Sequence, residues 1–138
     1  MPPVAPRAKV LEYRTAVDRL GAISAEGGGP AALPKGWEPE HLVLAAFVRC
    51  SIASLRYHAC RLGADVLASG RAHAKVTRRE SDGRYAFVEL EGEFDVELEP
   101  AQEDLATLLE QAERDCFIGA SLTVEPAYHW TVNGTRIG

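Results

Sequence analysis

The stretch Glu40–Leu62 runs 23 residues without a glycine or a proline, and its polar side chains, His41, Arg49, Arg56 and His58 among them, are sparse in a largely apolar or small series. That pattern predicts one helix of about six turns, largely buried. Pro39 suits its first turn, where a missing backbone donor costs nothing. Glu40 complements the positive end of the helix dipole, and Gly63 marks the stop. The longest unbroken apolar run, Leu42–Val48, is too short for a membrane span, which needs about twenty residues. A helix this apolar has to be covered on nearly every side. A chain of 138 residues is the size of one domain, taken here as 1–138, and offers about one sheet and one short helix to do it. A symmetric homodimer is the simplest remedy.

Around this helix the pattern is mainly β. Lys9–Val17 reads as a strand, with Ala22–Ala25 as its hairpin partner across Asp18-Arg19-Leu20-Gly21. Glu26–Pro39 carries four glycines and three prolines and is expected to be a surface loop. Arg71–Arg79 and Arg84–Glu99 alternate between apolar or small and charged side chains, with Val88, Leu90, Phe94, Val96 and Leu98 on one face. A three-residue loop, Ser81-Asp82-Gly83, would pair Val76 with Val88 and Ala74 with Leu90 on the core side. It would also set Lys75 against Glu89 and Arg71 against Glu93 on the other face. The carboxylates from Glu89 to Glu99 then spread along a solvated face instead of converging on a cation. Pro100 is expected to open a second helix, Ala101 to Asp115, with Leu105, Leu108, Leu109 and Ala112 as its apolar stripe. Val124–Val132 returns as a strand ending at the turn dipeptide Asn133-Gly134. The element order does not alternate βαβα, so the fold class is α+β with a mainly antiparallel sheet.

Composition narrows the function. Twenty acidic against fifteen basic residues give a net charge of −5, the wrong sign for a protein that binds phosphate backbones, so nucleic acid is not an expected partner. Met1–Lys9 holds three prolines, Arg7 and Lys9 but no apolar core for a secretory signal, and the expectation is a cytoplasmic protein without a membrane partner. Three cysteines is an odd count, so either plain burial or thiol chemistry has to explain Cys50, Cys60 and Cys116. There is no Cys-x-x-Cys pair, the four histidines lack ligand spacing, and no Gly-x-Ser-x-Gly elbow is present. Zinc and serine-nucleophile readings are therefore set aside. His58 and His129 read as structural residues, and Trp130 as core.

Pro39-Glu40-His41-Leu42, seven residues and then Cys50, followed by Cys116-Phe117-Ile118-Gly119-Ala120-Ser121-Leu122, resembles the OsmC/Ohr family of organic hydroperoxide reductases. The resemblance spans the elements from Lys9 to Gly134. It implies an intertwined homodimer of α+β fold with a central helix, and a thiol peroxidase without a cofactor. It makes Cys50 the peroxidatic thiol and Cys116 the resolving thiol, and matches Glu40 to the family's glutamate. The family's arginine corresponds best to Arg19, with Arg14 as the competing assignment. Cys60 has no counterpart.

The implied chemistry has physical requirements. A cysteine with a pKa of about 8.5 is only a few per cent thiolate at neutral pH, so a nearby guanidinium has to favour ionisation. Attack of the Cys50 thiolate on an organic hydroperoxide releases an alcohol and leaves a sulfenic acid, which Cys116 condenses to a disulfide. An external dithiol, for which the resemblance suggests the lipoyl type or another small dithiol, then resets the pair. Trp37, Phe47 and Phe117 would suit a bulky organic substrate or serve ordinary packing. On one straight helix, Glu40 and Cys50 stand about 15 Å apart. Either the chain bends near Glu40, or the partner subunit supplies the carboxylate. Two other readings on the same scaffold stay open: a binding protein with little turnover, and a redox-sensing interaction protein.

Overall fold

A computed structural model describes residues 8–137; the proline-bearing start of the chain, up to Arg7, lies outside them. The chain divides into two units, one ending at Trp37 and one running from Glu38 to Gly138.

In the first unit, β1 (Thr15–Val17) pairs antiparallel with β2 (Ile23–Ala25), Val17 opposite Ile23. The turn between them is held by the Asp18 carboxylate, whose Oδ1 accepts from the backbone N–H of Leu20 and of Ala22, each at 2.9 Å. Gly21 there has φ +84°, which a side chain would disfavour. The first strand starts at Thr15, not at Lys9 as its composition suggested. β2 is only three residues long, so its ladder with β1 begins at Thr15; the Arg14 N–H donates instead to the Glu26 carboxylate at 2.8 Å. The glycine-rich segment that follows is irregular, apart from one bridge between Ile23 and Ala31.

The second unit begins with α1 (Pro39–Arg61), which the sequence pattern places to within a residue at each end. The His41 imidazole Nδ1 accepts from the Glu38 backbone N–H at 2.9 Å and closes the first turn. At the far end Gly63, at φ +73°, donates to the Cys60 carbonyl, while the Ala64 N–H reaches back to the Ala59 carbonyl. This pair of bonds satisfies carbonyls that the last turn would leave orphaned. By length and mean hydropathy α1 would pass for a membrane span, although its longest apolar run is short.

A four-stranded sheet in the order β3-β4-β5-β6 covers α1 together with two further helices. The strands are β3 (Asp65–Arg78), β4 (Tyr85–Glu99), β5 (Ala127–Val132) and β6 (Thr135–Ile137). Between β4 and β5 lie α2 (Leu105–Arg114) and the short α3 (Phe117–Ser121). The hairpin β3–β4 keeps the expected register from Arg71 to Lys75, with Ala74 opposite Leu90, and β3 extends it back to Asp65, six residues before the expected start at Arg71. Its outer face carries the expected ion pairs, Arg71 Nε to Glu93 at 2.7 Å and Lys75 to Glu89 at 3.6 Å.

Near the hairpin tip the expectation fails. The loop holds four residues, Glu80–Gly83, because the Arg79 N–H donates to the Arg84 carbonyl, and the Arg79 guanidinium clasps Asp82 at 3.0 and 2.6 Å. Val76 then faces Phe87, and Val88 is the extra residue of a bulge. The bulge restores parity, so that Leu90, Phe94, Val96 and Leu98 still point into the core.

Two more boundaries differ from the sequence pattern. The second helix starts at Leu105, not Ala101, because Asp104 caps it by accepting from the Thr107 N–H at 3.2 Å. The next strand starts at Ala127, not Val124, just past Pro126, which has no N–H for a ladder. β5 runs parallel to β4, since the intervening helices return the chain to the end where β4 began. The Asn133-Gly134 turn has φ of 49° and 82° and leads into β6, which the sequence pattern left out.

The core joins Phe47 and Leu55 of α1 to Leu90, Phe94, Val96 and Leu98 of β4, to Leu108, Leu109 and Ala112 of α2, and to Trp130. Full burial of side chains of this size stabilises by about 1.5–3 kcal/mol each. Phe94 lies across a flat strip of sheet: a Cβ on Gly70 or Gly92 would come within 2.8 or 2.7 Å of its ring. The ring stacks on Trp130 at 4.6 Å and on Tyr128 at 5.8 Å, and Phe47 meets Tyr128 at 5.4 Å. This aromatic cluster fixes the Tyr128 side chain beside α1.

Candidate active site

Three polar side chains of α1 are buried, and all face the same way. Ser51, Ser54 and His58 sit three and four residues apart, which places them on one stripe of the helix. Each fastens α1 to the corner where α2 gives way to α3. Ser54 Oγ donates to the Ala112 carbonyl at 2.8 Å. His58 Nε2 lies 2.7 Å from Asp115 Oδ2. Ser51 Oγ lies 3.4 Å from Cys116 Sγ. The Arg114 guanidinium, and after it His58, hold the Asp115 carboxyl below the usual carboxylate range.

This clamp sets Cys116, fully buried and capping α3, against α1. Its sulfur accepts from the Gly119 N–H at 3.5 Å and lies 4.0 Å from the Phe47 carbonyl, to which its own S–H can donate. Cys50, one residue before Ser51, is half-buried, and Cys116 is close enough to act on its thiol. The two sulfurs, 66 positions apart in sequence, are thus neighbours in the fold.

The electrostatics of Cys50 are mixed. Burial pushes its thiol above the ordinary value and the Cys116 thiol adds to the rise, whereas the backbone N–H groups of Ile118 and Phe117, in the first turn of α3, pull it down. The net direction is upward. None of the groups that act most strongly on this sulfur is a cation.

The remaining candidates from the sequence fall elsewhere. Glu40 is exposed on the first turn of α1, at the edge of a shallow cavity of about 290 Å³ whose walls include Val76, Tyr85, Phe87 and Val124. α1 is continuous from Pro39, so its rise keeps Glu40 about 15 Å from Cys50 of the same chain. Arg19 is exposed in the β1–β2 turn, and Arg14 pairs with Glu12 at 3.7 Å; both belong to the first unit, as does Trp37. Cys60 is exposed near the end of α1. Phe47 is core, Phe117 is 60% exposed, Trp130 is buried, and His129 lies 3.3 Å from an Arg136 nitrogen on the outer face of the sheet.

Ser51, Gly119 and Tyr128 escaped the sequence reading. Tyr128 Oη lies 3.3 Å from Ser51 Oγ. Burial pushes the Tyr128 phenol well above its usual value, and the Cys116 sulfur contributes to that shift. A signal for Ser51 was present in the sequence: Ser51, Ser54 and His58 make a polar stripe at helical spacing on an apolar helix.

Comparison with known proteins follows the same line. A family model described as OsmC-like protein matches residues 31–131. Comparison with curated proteins finds none that matches. Among solved structures, an OsmC-like protein of unknown function from Vibrio cholerae superposes with a TM-score of 0.74 at 16% identity, covering 88% of this chain and 100% of its own. The organic hydroperoxide resistance protein OhrB of Bacillus subtilis gives 0.57 at 18%, covering 87% and 96%. An organic hydroperoxide resistance protein OsmC from Legionella pneumophila gives 0.55 at 16%, covering 92% and 98%. Identities this low bear on the fold alone, which is α+β of the OsmC/Ohr kind. With 101 of its 138 residues inside the matched range and the same fold in its structural neighbours, the chain belongs to the OsmC-like family.

Proposed function

We propose that this chain is a cytoplasmic, homodimeric thiol peroxidase that reduces organic hydroperoxides to alcohols. Cys50 is the attacking thiol, Cys116 resolves the resulting sulfenic acid to a disulfide, and an external dithiol, such as one of the lipoyl type, regenerates the pair. The observation that carries this reading is the contact between a half-buried and a fully buried thiol that come from distant parts of the chain. Sulfenic acid and resolving thiol have to meet without large rearrangement, and this contact provides for that. The OsmC-like family and the hydroperoxide resistance proteins among the structural neighbours support the same reading.

Burial raises the Cys50 thiol, so an efficient enzyme needs a cation to lower it. We assign that part to Arg19, with Arg14 as the alternative, and we assign the carboxylate that orients it to Glu40. Since one helix holds Glu40 and Cys50 about 15 Å apart, the partner subunit's carboxylate completes the site. A mixed dimer of Cys50→Ala and Glu40→Ala subunits then regains about one working site of two. If the two residues act within one chain, it regains none.

Consumption of cumene hydroperoxide with excess dithiol tests the main reading. Cys50→Ser should abolish turnover. Cys116→Ser should allow one oxidation per subunit, leaving a sulfenic acid that dimedone traps. A Cys50-independent rate sinks the proposal. The upward-shifted Cys50 thiol also favours a second reading, a redox sensor with slow stoichiometric oxidation. In that case Cys50 oxidises once, and added dithiol fails to sustain turnover.

A further inference from the structure

Cys116 has more polar company than a buried thiol that merely fills space requires. Its sulfur meets Ser51 Oγ and the Gly119 N–H, and Tyr128 Oη lies 3.3 Å from Ser51 Oγ. Ser51 has one proton to give. With that proton directed at Cys116, the Tyr128 hydroxyl donates to Ser51 Oγ, and a chain of donors ends on the sulfur. Gly119 keeps the chain compact, because a Cβ there would stand 3.3 Å from Tyr128 Oη and 3.6 Å from Cys116 Sγ. Behind Tyr128 and Gly119 opens a cavity of about 440 Å³, lined also by Glu113 and Pro126. It gives the donor chain an outlet to water.

We propose that Ser51 and Tyr128 form a two-hydroxyl donor chain that stabilises Cys116 as a thiolate, both when its sulfur attacks and when it leaves. Ser51 touches a reacting atom and is a catalytic residue of disulfide exchange; Tyr128 is its positioning residue. The proposal rests on the reading of Cys50 and Cys116 as an exchanging pair, and it names which sulfur each reagent meets. In closure, the Cys116 thiolate attacks the Cys50 sulfenic sulfur, the S–O bond breaks, and the departing hydroxide takes up the Cys116 proton as water. In opening, one sulfur of an external dithiol attacks Cys50, which is the accessible one. The S–S bond breaks and its electron pair leaves on Cys116, where the donors wait. The second sulfur of the dithiol then displaces Cys50. The dithiol ends as a cyclic disulfide, and its two protons end on the two cysteines.

The test needs no peroxide, so its failure is separable from failure of the peroxidase reading. Diamide, a two-electron acceptor, closes the Cys50–Cys116 disulfide, and dithiothreitol opens it, with thiols counted by mass spectrometry after alkylation. Ser51→Ala should slow opening about tenfold and Tyr128→Phe about threefold, as loss of a hydrogen bond to a charged sulfur predicts. Ser51→Thr should recover the rate to within about twofold. The pH profile of closure should rise about one unit later in Ser51→Ala, a change that a merely structural role would not produce. The other ionisable groups around this sulfur are Cys50 from α1 and Tyr128 from β5, with Glu113 of α2 acting on Tyr128 and the His58–Asp115 pair at the same corner. All of these are unchanged in Ser51→Ala. Wild-type opening rates with an unshifted profile in Ser51→Ala overturn the proposal. So does a native protein in which diamide forms no Cys50–Cys116 bond.

Discussion

The two halves of α1 invert what their compositions suggest. The first half, Leu42–Val48, is the most apolar run in the chain, yet only Phe47 in it is fully buried within a single chain. The second half contains two serines, a histidine and two arginines, yet Ser51, Ser54, Leu55, His58 and Ala59 are all buried. Hydrophobicity measures how strongly a surface seeks cover, whereas burial depends on what the fold puts beside it. The second half is covered because its polar groups find partners on α2 and at the α2–α3 corner. The first half leaves Leu42, Val43 and Ala46 only partly covered, a face that the proposed homodimer would complete.

Breaking the apolar half should have the larger effect. Val43→Glu would set a charge on the face assigned to the partner, and the dimer dissociation constant should rise at least about a hundredfold. Sedimentation equilibrium reads this directly. A variant that stays dimeric at wild-type concentrations, or a native protein that is monomeric, refutes the assignment. Breaking the polar half should lower stability instead. His58→Ala removes a buried ring and leaves Asp115 without its histidine partner, and should cost about 2 kcal/mol in urea unfolding. An equal loss of stability from both substitutions would erase the contrast between the halves.

Acid should sharpen the contrast by a smaller amount. The folded protein holds the Asp115 carboxyl below its unfolded value near 3.8, so its contribution is present above that pH and is lost as the pH falls through the folded value. Asp115 is 38% exposed, which limits the effect through solvent screening. Asp115→Asn should lower stability slightly at pH 7, and the difference from wild type should vanish as the pH falls through the folded value. No difference from wild type at pH 7 would mean that the charge adds nothing to the clamp.

Much of the fold was legible because periodicity is a local property. The span of α1 followed from the absence of breakers, and the hairpin register from Arg71 to Lys75 followed from matching apolar faces. The errors fell where side chains made a choice that composition does not register. Arg79 and Asp82 lengthened the hairpin loop by one residue, Asp104 moved the start of α2, and Pro126 delayed β5. The cysteine pair was suggested by family resemblance, while Ser51 and Tyr128 became visible only once β5 lay beside α1.

The order of helices and strands, the apolar faces and the acidic outer stripe of β4 are properties of the sequence alone, since each depends on residues only a few positions apart. The meeting of Cys50 with Cys116, and of Ser51 with Tyr128 across 77 positions, was decided by tertiary structure. Those contacts exist because three hydrogen bonds pin α1 to the α2–α3 corner, and because a stack of aromatic rings holds Tyr128 in place. No local rule brings together groups so far apart along the chain. Packing does so, by leaving buried polar atoms a single set of partners.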